Sequence, residues 1–251
     1  MKQAHIFGVA ACAAALTLVT VTVSRVSENQ QRTPASRLLS QFQTTFVFWE
    51  QFDIAKEIAA LHDPHVLPAL VGRLRDQDRH LRGNAAFVFA SLGDERGFDV
   101  IFAILTDRSD RPEAQGVVGG ISAPRATPIH RVEEQITADR YYAAHLLGDI
   151  KDPRAVPVLI PLLDDPEVNY IVPWALAEIG DKRAVIPLIN ALGNKDPSIR
   201  VLAIYALEQL KAKEALPALR ALLHDDTRST FDNMVEVAEA AKAAIAKLEA
   251  H

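Results

Sequence analysis

Apolar residues recur along this chain in clusters spaced three, four and seven apart, and the clusters themselves repeat about every 30 residues. The pattern is sharpest after Arg82, Arg111, Arg140, Asn169 and Arg200, which lie 29, 29, 29 and 31 residues apart. Three positions after each anchor stands a small or β-branched residue: Ala85, Ala114, Ala143, Val172 and Ala203. Ten positions after comes Leu92, Ile121, Ile150, Ile179 or Leu210. Weaker copies anchor at Gln51 and near Ala238, which makes seven. At about 100° per residue, positions 3, 6, 7 and 10 fall on one helical face, so that face must be buried against neighbours. A recurrence of this length means stacked units of secondary structure rather than one closed core.

Punctuation divides each unit into two antiparallel helices. Asp196-Pro197 supplies an N-cap and a first-turn proline for a helix ending near Leu210, and Pro217 opens its partner. The same plan fits Asp165-Pro166 through Ile179, with Pro173 inside the helix as a kink. Position 14 carries Arg96, Arg125, Arg154 or Arg183, with Glu214 breaking the series. An aspartate precedes the anchor by four residues in Asp78/Arg82, Asp107/Arg111 and Asp196/Arg200, and is read as a structural ladder. The third unit departs from the pattern, since Gly116, Gly119 and Gly120 weaken its helix and two prolines follow within 123–128.

With Lys-Asp-Pro-Arg-Ala-Val-Pro at 151–157 and Gly-Asp-Lys-Arg-Ala-Val at 180–185, residues 46–250 resemble the HEAT-repeat superfamily, and within it the short HEAT-like repeats of the phycobilisome lyase type. The resemblance implies an all-α, right-handed α-solenoid of about seven two-helix repeats after an N-terminal apolar segment. It also implies a concave surface lined by the anchor helices. Most such proteins are scaffolds, and fold alone licenses no more.

Two parts are expected: residues 1–37 and the solenoid 38–251. Ile6 to Val23 carries no charge between Lys2 and Arg25. As a helix it reaches ~27 Å, close to the ~30 Å apolar thickness of a bilayer. It is read as a signal peptide or a retained membrane anchor, which places the protein on a membrane or on the exported side. Cys12, the one cysteine, follows Val9-Ala10-Ala11 and leaves a lipidated start open. Beyond residue 37 stand 23 Lys and Arg against 31 Asp and Glu, an acidic balance that argues against nucleic acid as partner.

Chemistry is sparse. The histidines form no His-Glu-x-x-His, no Gly-x-x-x-x-Gly-Lys cradle is present, and no Gly-x-Ser-x-Gly elbow occurs. No enzyme activity, metal or cofactor is therefore expected. Aromatic residues are only 6% of the chain, yet position 5 after the anchors holds Phe87, His145, Trp174 and Tyr205. Tyr141, Tyr142 and Tyr170 lie beside them. These seven are the expected concave patch for another protein or a peptide. The competing reading packs the rings between helices. A lyase-like or small-ligand role on the same patch, with His145 and Glu178 as proton donors, is the alternative.

Overall fold

The computed structural model describes residues 33–109, 128–230 and 234–250. Helices follow in the order α1 (Pro34–Thr44), α2 (Phe48–Ala60), α3 (Leu67–Leu70), α4 (Arg79–Ser91), α5 (Glu95–Thr106) and α6 (Pro128–Ile150), continuing with α7 (Val156–Leu159), α8 (Val172–Ile179), α9 (Val185–Ala191), α10 (Pro197–Gln209), α11 (Leu216–Ala221) and α12 (Val237–Ala250). Among the described residues no β-strand forms beyond one bridge, Arg228 to Glu236. The anchor helices α2, α4, α6, α8, α10 and α12 pack each on the next, so the molecule is an all-α solenoid. One run of buried side chains threads the stack from Leu38 to Leu248.

The face expected to be buried is buried. Ala85, Ala143, Val172 and Ala203 are all fully enclosed, as are Val88 and Phe89, Leu146 and Leu147, Ala175 and Leu176. The partner helices are shorter than the pattern suggests. α3 and α7 are four residues each, with 3₁₀ turns on both sides.

Each anchor helix ends and the next begins by the same backbone devices. Eleven residues after each anchor the chain turns left-handed: His62 (φ 50°), Gly93 (82°), Lys151 (59°), Gly180 (75°) and Lys211 (53°). Only two of the five are glycine, so three side chains sit in a conformation that ordinarily favours it. Twenty-five residues after each anchor an Asp or Asn side chain accepts an amide N–H from two residues on: Asp76, Asp107, Asp165, Asn194 and Asp225. These residues are separated by 31, 58, 29 and 31, so one interval is double the rest.

The same residues carry the ladder, and they carry it between units. Arg140, 2% exposed, reaches Asp165 at 2.6 Å and also pairs with Glu167. Arg200 lies 3.0 Å from Asp225, and Arg79 pairs with Asp107. Burial raises the Asp165 carboxyl, but hydrogen bonds from Arg140 and the Glu167 amide, with the charges of Arg140 and Arg108, outweigh it and hold Asp165 below the ordinary range. Where the anchor is Asn169 the residue 25 positions on is Asn194, so neither member of that step carries a charge. A second ladder runs on the other side of each turn. Asp94, Asp152 and Asp181 each cap the following helix and hold Arg96, Arg154 or Arg183.

Three expectations change. The helix foreseen from Asp165 starts only at Val172, and 165–171 forms turns. Pro173 has no N–H to give and its ring would strike the carbonyl four residues back, so it takes the second helical position instead of a kink. In the middle, Pro128 opens the helix that carries Arg140, and α6 packs directly on α4. The copy anchored at Arg111 lies outside the described residues. The membrane-anchored or exported location is corrected as well: among the described residues no helix is long and apolar enough to cross a membrane. The segment 6–23 that carried it, with Cys12, lies outside the described residues.

Candidate functional site

Helix α6 packs on α4 on one side and α8 on the other, and this brings aromatic rings from four anchor helices into one strip. From α2, Phe48 meets Trp49 edge-on at 5.1 Å and stacks on His80 of α4 at 4.5 Å. His80 lies 4.9 Å from Tyr142 of α6, which also meets Phe48 at 5.3 Å. Tyr142 continues to His145 at 6.5 Å, and His145 stacks on Trp174 of α8 at 4.5 Å. Phe52 joins from beneath, 5.0 Å from Phe87. Such separations are those of favourable edge-on and offset pairs.

A buried amide chain fixes the middle of the strip. The Tyr142 hydroxyl donates to Asn84 Oδ1. The Asn84 amide in turn donates to the Phe48 carbonyl at 2.8 Å and to Gln51 Oε1 at 3.1 Å. Gln51 donates to the carbonyls of Phe42 and Thr45. Every link lies where water is scarce, so breaking one strands a polar group. Burial pushes the Tyr142 phenol well above its ordinary range, and Asp149, Asp53 and Asp78 add to the shift. It is therefore a fixed neutral donor.

The expected patch residues divide. Phe87 is 5% exposed and belongs to the core. Tyr142 is the hub of the strip, and Trp174 is half-buried between the His145 ring and Gly148, where an added Cβ would come within 2.7 Å of the indole. Tyr141 (42% exposed), Tyr170 (37%) and Tyr205 (36%) stay at the surface. Tyr170 donates to Asp196 Oδ2 at 2.5 Å, which raises its phenol. The His145 ring lies 3.2 Å from Asp149 Oδ2.

Four strip members, Phe48, Trp49, Phe52 and His80, are absent from the expected set. Trp49 and Phe48 flank the weak first anchor, Gln51, and offered a signal of composition only. The pairing of His80 with Tyr142 had none, because a unit was expected between their helices. Glu178 is a poor proton donor. Hydrogen bonds from Lys151 and Gln209 hold its carboxyl low and ionised.

Residues 132–187 and 163–238 match the model of the HEAT repeats family. No curated protein matches. Among solved structures, the complex of CpcE and CpcF of phycocyanin lyase from Nostoc sp. PCC7120 is 18% identical, with 86% of this chain and 95% of that chain covered and a TM-score of 0.42. Human deoxyhypusine hydroxylase is 20% identical, covering 85% and 84%, at 0.39. A designed armadillo repeat protein in complex with the peptide (KR)4 is 16% identical, covering 86% and 100%, at 0.42. At these scores the likeness says nothing of ligand or activity. Between residues 132 and 238 the chain is built of HEAT repeats.

Proposed function

We propose that this solenoid is a protein-interaction scaffold, without catalysis of its own, that docks a segment of another protein along its anchor-helix face. One observation carries the reading: rings from α2, α4, α6 and α8 form an unbroken strip, and Tyr141 of α6, Tyr170 just before α8 and Tyr205 of α10 remain open to solvent. Aromatic side chains on a rigid support lose little entropy on binding and bury large areas, which is why they dominate contact energies. The strip's rigidity comes from the Tyr142–Asn84–Gln51 chain.

A small-ligand or lyase-like role has less support. A cavity of about 440 Å³ between α1 and α2 is lined by Arg37, Leu38, Gln41, Thr45, Ile54 and Glu57, none of which is a ring of the strip. The ionised Glu178 also removes one of the two proton donors that role invoked.

Site-specific photocrosslinking in cells tests the scaffold. A benzophenone residue replacing Tyr141, Tyr170 or Tyr205 should give the same discrete protein adduct from all three. The same group at Ile186, an exposed position on α9, should give none. Adducts from Ile186 with none from the tyrosines would place the partner elsewhere.

A further inference from the structure

We propose that the segment docking on this face is a cationic linear peptide, with lysine or arginine at every second or third residue. The inference rests on the docking reading above and adds the chemistry of the occupant.

On α6 and α8 the ring five positions after the anchor is followed one helical turn later by a carboxylate: His145 by Asp149 and Trp174 by Glu178. On α10 the equivalent pair is Tyr205 and Glu208. Residues three and four apart share a helix face. The stack therefore presents a ring with a carboxylate beside it on three successive anchor helices, α6, α8 and α10. Anchor helices pack roughly 8–10 Å apart, and an extended chain rises about 3.3 Å per residue, so cations two or three residues apart meet successive pairs. A cation set over a ring and beside a carboxylate gains from both.

The electrostatics agree. The charged groups acting on the Tyr142 hydroxyl, Asp149, Asp53 and Asp78, are all acidic. The chain's own basic groups already use this chemistry. Lys56 Nζ lies 4.8 Å from the centre of the Phe52 ring and 2.7 Å from Asp53. Lys151 and Lys247 reach Glu178 at 2.8 Å and Glu208 at 2.5 Å, and both lysines are more than half exposed. The ammonium ends of these pairs are open to water, so an incoming cation can compete with them for the carboxylates.

Both tryptophans of the chain, Trp49 and Trp174, lie in the strip, so intrinsic fluorescence reports on it. The full chain is titrated with three synthetic peptides on one glycine-serine background, carrying arginine, glutamine or glutamate at every third position. The arginine peptide should give a saturable change at least about tenfold tighter than the glutamine peptide, and weaken about fivefold or more when salt rises from 0.05 to 0.5 M. A triple variant, Asp149→Asn, Glu178→Gln and Glu208→Gln, should lose that preference while keeping its helical circular dichroism. Equal binding of arginine and glutamine peptides overturns the cationic occupant and leaves the docking face standing. Preference for the glutamate peptide overturns it too, as does an unchanged preference in the triple variant. If none of the peptides alters the fluorescence, the cationic proposal falls, and the crosslinking result alone then decides the docking face.

Discussion

Two groups of aromatic residues on or just before the anchor helices have different fates. Phe48, His80, Tyr142, His145 and Trp174 touch one another in sequence and are at least partly covered, whereas Tyr141, Tyr170 and Tyr205 stand a third or more exposed. On α6 the difference follows from register. The second position after Arg140 points at the gap between α4 and α6, so Tyr142 is drawn in against Asn84. The first position points away from the gap, so its neighbour Tyr141 stays out. On α6 a ring between two helices is part of the spine and the ring one position aside faces solvent, whereas Tyr205, in the register of His145 and Trp174, stays about a third exposed on α10.

The sharpest way to break this division is at its hub. Tyr142→Ala removes a ring packed on four others and strands the Asn84 carbonyl, and should cost about 3–5 kcal/mol of stability by chemical denaturation. A loss near zero would make Tyr142 a surface residue. Trp174→Ala is next. The indole is covered only in part, so about 2 kcal/mol is expected, a stability effect at a position that the sequence marks for binding. Tyr142→Phe keeps the ring and deletes only the hydroxyl, which should cost about 1 kcal/mol for the unpaired Asn84 acceptor. Smallest of all is Tyr205→Ala, expected within about 0.5 kcal/mol of the parent.

Much of this was legible in the sequence, for physical reasons. A buried helical face needs apolar side chains at fixed intervals, so Ala85, Ala143 and Ala203 announced their burial, and the anchor arginines announced a structural ladder. The partners of the ladder were not legible. The sequence suggested Asp196 for Arg200, four residues back, but the side chain reaches forward to Asp225 across to the next unit. Helix neighbours were also hidden. Spacing alone set a unit between Arg82 and Arg140, whereas α4 and α6 pack directly, and only that contact explains why His80 meets Tyr142. Pro173 carried its signal plainly, but a proline that kinks a helix and one that starts it look alike until the preceding residues are seen to turn.

The central claim is that Tyr141, Tyr170 and Tyr205 are contact residues for the partner, whereas the rings of the strip chiefly hold the fold that presents the face. It is tested most directly by the triple variant Tyr141→Ala, Tyr170→Ala and Tyr205→Ala, measured for both thermal melting and formation of the adduct from a benzophenone placed at Trp49, which is 43% exposed on the same strip. The account predicts a midpoint within a few degrees of the parent, about what a change near 1 kcal/mol produces, together with loss of the adduct. A variant that melts like the parent and still captures the partner in full contradicts it.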